Sequence, residues 1–226
     1  MKFTYLLINF FTILIPIARS FEPRLHFYTK WKYYLPGMFL TAAFFIVWDY
    51  FKTRYGVWSF NDQYIMGIRF FGLPIEELLF FITVPYACTF IYETVTYFVK
   101  PRIFPDSSIY VLWLMGLGAL AASPFEIHRV YTFSVLLTFG IAVRILTPFI
   151  HGEKLDKFIQ TYLISLLPML VVNGLLTGLP VVIYNNRENL NIRLGTIPVE
   201  DFVYCAILLL MNIALYEWAR LRAAKN

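Results

Sequence analysis

Two short acidic segments carry the most chemical information in the sequence, Pro74-Ile75-Glu76-Glu77 and Pro198-Val199-Glu200-Asp201. Adjacent carboxyl groups repel when both are charged, which drives one member of each pair toward its neutral form. A neutral acid beside an ionised carboxylate is the equipment of general acid–base catalysis. Glu76, Glu77, Glu200 and Asp201 are therefore the candidate catalytic residues. Each segment reads as a loop entering a helix, with proline at the first helical position and the acids in the first turn, near the positive end of the helix dipole. The plainer alternative is a pair of ordinary helix-start carboxylates that stay ionised. Their presence in both segments, and the cost of a buried charge near a membrane, favour the chemical role.

The elements that must position these acids are transmembrane helices. Of 226 residues, 59% are hydrophobic and 15% charged, with a mean hydropathy of +0.64. A soluble domain carries roughly 25% charged residues, and this deficit leaves too little polar surface to cover a core. Long apolar runs separated by short polar clusters predict an all-α integral membrane protein of about seven spans. The expected spans are 3–18, 33–51, 74–99, 108–122, 130–146, 158–176 and 197–220. Lys2, the apolar run and Ala18-Arg19-Ser20 also resemble a secretory signal. The repeat described next makes this segment the counterpart of a later span, so it is read as a retained helix.

A shift of 124 residues aligns 46–93 with 170–217 without a gap. Identical pairs include Thr53/Thr177, Asn61/Asn185, Arg69/Arg193, Pro74/Pro198, Glu76/Glu200, Tyr92/Tyr216 and Glu93/Glu217. Glu77/Asp201, Asp49/Asn173 and Phe60/Tyr184 are related in chemistry. Apolar matches cost little in a membrane protein, whereas matches at Asn, Arg, Pro and Glu do not. The expected organisation is a first three-helix repeat over 1–99, a linker with one helix over 100–129 and a second three-helix repeat over 130–226. The linker helix gives both repeats the same orientation, related by an axis along the membrane normal. Basic residues are more numerous at the end that includes Arg19, Lys30, Lys100, Arg144, Lys154, Arg220 and Lys225. That bias makes this end cytoplasmic and puts the amino terminus outside.

Around the acids, Asp49, Trp58, Phe80, Phe81 and Tyr204 are the candidate substrate-binding residues. Asp49 ends the second span at the membrane face where the acidic segments begin. Arg69, in the intervening loop, is a candidate to hold a carboxylate ionised. Phe80 and Phe81 lie one turn beyond Glu76 and Glu77, where aromatic faces stabilise positive charge. Trp48 and Trp58 also suit an aromatic interface belt. Glu93 lies 17 residues after Glu76, roughly 25 Å along a helix, so Glu93 and Glu217 are read as structural residues of the opposite interface.

Several functions are disfavoured. The scattered Lys and Arg clusters are those of membrane loops, not a nucleic-acid footprint. Cys88 and Cys205 sit in apolar runs, and His26, His128 and His151 are far apart, so no metal site is expected. A retinal Schiff base needs a lysine in the last span. Here Lys2, Lys30, Lys32, Lys52, Lys100, Lys154, Lys157 and Lys225 all read as lying outside span interiors. A polyprenyl transferase needs clustered aspartates for magnesium, and the five aspartates are dispersed. A proton-coupled transporter with paired acids at a repeat interface is the alternative, although it requires helices broken near the bilayer midplane.

Trp48-Asp49, Gly56-Val57-Trp58, Pro74-Ile75-Glu76-Glu77 with Phe80-Phe81, and Tyr92-Glu93 resemble the membrane-integral lycopene cyclases of the two-subunit bacterial type. Archaeal cyclases and the cyclase part of fungal bifunctional enzymes are similar. Pro198-Val199-Glu200-Asp201 with Tyr216-Glu217 resembles the second unit, and the likeness spans nearly the whole chain. One departure is Val172-Asn173, where the first unit has Trp48-Asp49. The resemblance implies an isomerase of carotenoid biosynthesis that converts the linear ends of lycopene to β-ionone rings, giving γ- and β-carotene. It further implies acid–base chemistry at Glu76/Glu77 and Glu200/Asp201, with no cofactor. Lycopene or a related carotenoid is the implied substrate, with lipid bilayer and other carotenoid-pathway enzymes as surroundings in a prokaryotic cell membrane. No Gly-x-Gly-x-x-Gly pattern links the chain to the flavin-containing cyclases.

Overall fold

The apolar runs fold as helices because a backbone in lipid must satisfy its own hydrogen bonds. The computed structural model describes residues 1–100 and 102–224. Among these, seven α-helices form: α1 (Thr4–Arg19), α2 (Trp31–Arg54), α3 (Ile75–Phe98), α4 (Ser108–Ala122), α5 (Val130–Leu146), α6 (Glu153–Gly178) and α7 (Glu200–Ala223). Six are long and apolar enough to cross a membrane once the short 3₁₀ turns flanking α2, α4 and α5 are included, and α1 is a shorter apolar helix of 16 residues. The protein is an all-α, multi-pass membrane protein. Pro16, Pro36, Pro85 and Pro168 lie inside α1, α2, α3 and α6. Polar side chains tie the helices together in the apolar interior. Asn212 on α7 donates to the Pro85 carbonyl at 3.2 Å and to Thr89 Oγ1 at 2.8 Å.

The packing follows the repeat. Helix α1 packs on α3 as α5 packs on α7, while α2 packs on α7 as α3 packs on α6. The second and third helices of each unit thus interlock with those of the other. Helix α4 packs chiefly on α5 and otherwise faces outward. Gly140 permits that contact, because a Cβ there would lie 2.3 Å from Leu120 Cγ and 2.6 Å from the Gly116 carbonyl oxygen. A backbone oxygen cannot swing aside as a side-chain tip can. Gly140→Ala is expected to destabilise the protein by about 1–3 kcal/mol, read as a lower unfolding midpoint in detergent.

The loops at the acid-bearing end hold short strands, which the apolar pattern does not foretell. Strand β1 (Trp58–Phe60) pairs antiparallel with β4 (Val182–Tyr184), setting Trp58 opposite Tyr184 and Phe60 opposite Val182. Residues 59 and 183, which are 124 apart, face each other at the centre, so the two loops meet about a local two-fold. Strands β2 (Arg69–Phe70) and β3 (Leu73–Pro74) form one hairpin, and β5 (Arg193–Leu194) and β6 (Ile197–Pro198) its counterpart. Their two-residue turns use positive φ at Phe71 and Gly72 in one and at Gly195 in the other, the torsions that match strand twist. Pro74 and Pro198 therefore close hairpins instead of occupying the first helical position. The missing proline N–H is harmless at a sheet edge, and the acids still fall in the first turns of α3 and α7.

At the opposite end, Glu93 and Glu217 are buried and bridge the repeats. Tyr216 donates to Glu93 at 2.7 Å and Tyr92 donates to Glu217 at 3.2 Å. Lys30 pairs with Glu93, Lys154 pairs with Glu217 at 2.7 Å, and Arg220 reaches Glu217 at 2.9 Å. Buried carboxylates with this many partners fasten α3 to α7. Lys225, counted among the basic residues of this end, lies outside the described residues.

Candidate functional site

Three carboxyl groups from both repeats converge where α2 ends and α3 and α7 begin. Glu77 in the first turn of α3 and Asp49 near the end of α2 face each other within hydrogen-bonding reach. Two carboxyl groups bond in this way only when one keeps its proton, because a carboxylate has acceptors alone. Glu77 Oε2 accepts a hydrogen bond from Tyr5 at 2.6 Å, and Asp49 accepts one from Tyr204 at 2.7 Å. Asp201 in the first turn of α7 is held differently. It accepts from Tyr131, from Tyr184 at 3.0 Å and from Asn173 at 3.1 Å, so both its oxygens act as acceptors. Burial, together with the Asp201 charge beside it, pushes the Tyr184 hydroxyl well above the ordinary tyrosine value. Tyr184 accordingly remains a donor.

These groups line one cavity of about 50 Å³, walled by Tyr5, Trp58, Phe60, Phe80, Tyr184 and Tyr204 among others. The β1–β4 pair covers it on the loop side, where Trp58 and Tyr184 lie opposite each other. Its wall follows the duplication: Glu77 answers Asp201, Phe80 answers Tyr204, and Phe60 answers Tyr184. The symmetry fails on α2, where Trp48, Asp49 and Lys52 correspond to Val172, Asn173 and Leu176 on α6. The site is a composite of two unequal halves.

The paired acids of the sequence motifs separate. Glu77 and Asp201 line the cavity, whereas Glu76 and Glu200 are directed to the loops above. Glu76 Oε1 accepts from the Met66 N–H at 2.7 Å, and Glu200 Oε1 accepts from Leu190 N–H and Thr132 Oγ1, both at 2.7 Å. Met66 and Leu190 are themselves 124 residues apart. The first acid of each motif thus fastens its loop to its helix, and the second faces the cavity.

Asp49, Trp58, Phe80 and Tyr204 line the cavity, while Phe81 is fully buried beside it, against Phe45 at a ring separation of 5.7 Å. Trp58 is buried and Trp48, half-buried, stacks on Tyr204 at 5.1 Å, so both rings pack against the site. Arg69 does not touch the acidic pair. It binds Asp62 at 2.7 Å and the Gly72 carbonyl, bracing its hairpin as Arg193 does with Asn186 and Thr196. Lys52 lies in the last turn of α2 and Lys157 near the start of α6, at helix ends outside the span interiors as read, but both side chains are buried. The last helix, α7, still contains no lysine. Tyr5 and Tyr131 were invisible to the repeat because they are offset by 126 residues and lie outside its aligned stretch.

The lycopene cyclase family profile matches residues 2–95 and 128–219. The chain belongs to the lycopene cyclase family. Its curated relatives include bifunctional lycopene cyclase/phytoene synthases of three fungi. The protein of Pyrenophora tritici-repentis is 34% identical over 68 residues, covering 29% of this chain and 12% of the relative. That of Podospora anserina is 30% identical over 95 residues, covering 41% and 14%. That of Neurospora crassa is 38% identical over 52 residues, covering 23% and 8%. The matched stretches thus span only 8–14% of the relatives' length. No solved structure matches the chain.

Proposed function

We propose that this chain is a lycopene cyclase that closes the linear ends of lycopene, or a related carotenoid, into β-ionone rings within the membrane. The observation that carries the reading is the meeting of three carboxyl groups, Asp49, Glu77 and Asp201, in one aromatic-walled cavity. The proton of the Asp49–Glu77 pair passes to C2 of the terminal double bond, whose π electrons form the new C–H bond. The resulting cation at C1 is attacked by the C5–C6 double bond, which forms the C1–C6 bond and moves the charge to C5. A carboxylate then takes the C6 proton, and the C5–C6 double bond is restored. No electrons are gained or lost, so the step needs no redox partner. Asp201 is the base in this assignment, and the aromatic wall of Phe60, Phe80, Trp58 and Tyr184 stabilises the developing charge. The cavity is smaller than a trimethylcyclohexene ring, so these rings must part when a substrate end enters.

In this reading residues 1–99 and 130–226 are two cyclase repeats that together build one centre, and 100–129 links them. The β1–β4 register and the two separate matched stretches support that division. Glu76 and Glu200 then serve as loop anchors, and Glu77 and Asp201 carry the chemistry. The likeness to the bacterial two-subunit type supports a prokaryotic cell membrane, with enzymes of the same pathway as neighbours.

Expression in lycopene-producing bacteria tests the function. Lycopene is expected to fall as γ- or β-carotene appears, read by chromatography with absorption spectra. Unchanged lycopene, with the protein present in the membrane, would count against lycopene as the substrate.

A further inference from the structure

Lys52 is the one residue of the site that the acid–base scheme leaves without a task. It lies in the last turn of α2 with its side chain buried, and among the described residues its Nζ has no hydrogen-bond or ion-pair partner. A buried ammonium without a partner is costly. Four aromatic rings surround it instead: Trp48 at 3.6 Å from the ring centre, Tyr131 at 4.4 Å, Tyr204 at 4.5 Å and Trp58 at 5.1 Å. Two of these come from each repeat, and Asp49, Asp201 and Glu200 lie within electrostatic reach. The cage therefore holds Lys52 Nζ near these carboxyl groups without pairing it with any one of them.

That position matters at one moment of the proposed reaction. While the Asp49–Glu77 pair shares a proton it carries a single negative charge. When the proton leaves for the alkene, two facing carboxylates remain, with Asp201 as a third around the same cavity. No residue lining the cavity bears positive charge, and Lys52 lies against three of its wall residues, Trp58, Tyr131 and Tyr204. We propose that Lys52 is a positioning residue whose ammonium, held in the aromatic cage, offsets the negative charge created when the Asp49–Glu77 pair gives up its proton. The proposal rests on the cyclase reading of this site. The asymmetry of the duplication agrees with it, since Asp49 and Lys52 occur together on α2 and their counterparts on α6, Asn173 and Leu176, are both uncharged. The shared proton and its counter-charge belong to the same half of the site.

The test uses the full chain purified in detergent, supplied with lycopene, with turnover measured in H₂O and in D₂O. Lys52→Met is expected to lower kcat by about 100-fold, the scale seen when a preorganised electrostatic partner is removed, with KM little changed. The solvent deuterium effect on kcat is expected to rise, because proton transfer becomes more fully rate-limiting. Lys52→Arg, which keeps the charge and the affinity for aromatic faces, is expected to recover at least tenfold of the loss. Should Lys52→Met fail to accumulate in the membrane, Lys52→Gln provides the neutral comparison. Turnover of the neutral variant near that of the wild type would overturn the proposal. So would a loss with an unchanged solvent effect and an equal loss in Lys52→Arg, which would assign Lys52 to packing alone. Absence of lycopene conversion by the wild-type protein would instead overturn lycopene as the substrate, and this proposal with it.

Discussion

Glu77→Gln is expected to lower the conversion of lycopene by at least about 10³-fold, whereas Glu76→Gln, one residue earlier, lowers it by less than about tenfold. The contrast follows from what each carboxyl group touches. Glu77 lies within hydrogen-bonding reach of Asp49, and Tyr5 donates to Glu77 Oε2 at 2.6 Å. Glutamine still donates a hydrogen bond to Asp49 and accepts from Tyr5, so the packing survives, but an amide offers no proton acidic enough for an alkene. Glu76 accepts from the Met66 N–H, and the side-chain oxygen of glutamine accepts equally well. Pigment extracts from lycopene-producing bacteria, normalised to the amount of protein in the membrane, decide the matter. A greater loss in Glu76→Gln than in Glu77→Gln would overturn the division of roles between the two acids.

That division marks the limit of what the chain reveals before folding. Both acids of each motif sit in the first helical turn, and periodicity places neighbours about 100° apart on a helix. It does not say which of them faces the bundle, because the facing side is set by α1, α2 and α6 around α3, and by α5 and α2 around α7. The spans themselves were legible, since lipid requires long apolar runs and the runs are long. Residues 108–122 and 130–146 coincide with α4 and α5. The strands were not legible. Trp58–Phe60 and Val182–Tyr184 are three residues each, too short for alternation to register, and they pair across the 121 residues between them.

Lys52 escaped for a related reason. At the end of an apolar run, a lysine ordinarily extends along the helix to water, and nothing local distinguishes one that turns inward. Two of its cage rings, Tyr131 and Tyr204, come from helices far along the chain. Asp49 was legible as a residue at the correct membrane face, and its approach to Glu77 completes that reading in three dimensions. Tyr5 and Tyr131 do equivalent work on Glu77 and Asp201. Their separation exceeds the repeat shift by two residues, so the equivalence exists in space and not in the alignment.

Asp201→Asn is expected to lower total conversion by about 10²–10⁴-fold, the usual worth of a positioned acid or base, and to alter what little product forms. Asp201 accepts from Tyr131, Tyr184 and Asn173. An asparagine keeps one acceptor oxygen but sets an amide N–H₂ against these donors, so at least one hydroxyl or amide loses its partner. A modest fall in stability follows, of the order of 1–3 kcal/mol, and thermal unfolding in detergent measures it. The change in product is the more specific expectation. Once the charge reaches C5, the cation must lose a proton from a neighbouring carbon, and a base held at C6 selects the β-ring. Without that base, loss from C4 or from the C5 methyl group competes, giving the isomeric rings that chromatography separates by retention and spectrum. Tyr131→Phe is the companion variant, because it removes one donor and leaves the carboxylate. It is expected to lose some stability and rate while still making β-rings. An Asp201→Asn variant that makes only β-rings at a reduced rate would return the C6 proton to the Asp49–Glu77 pair, and would make that pair both acid and base.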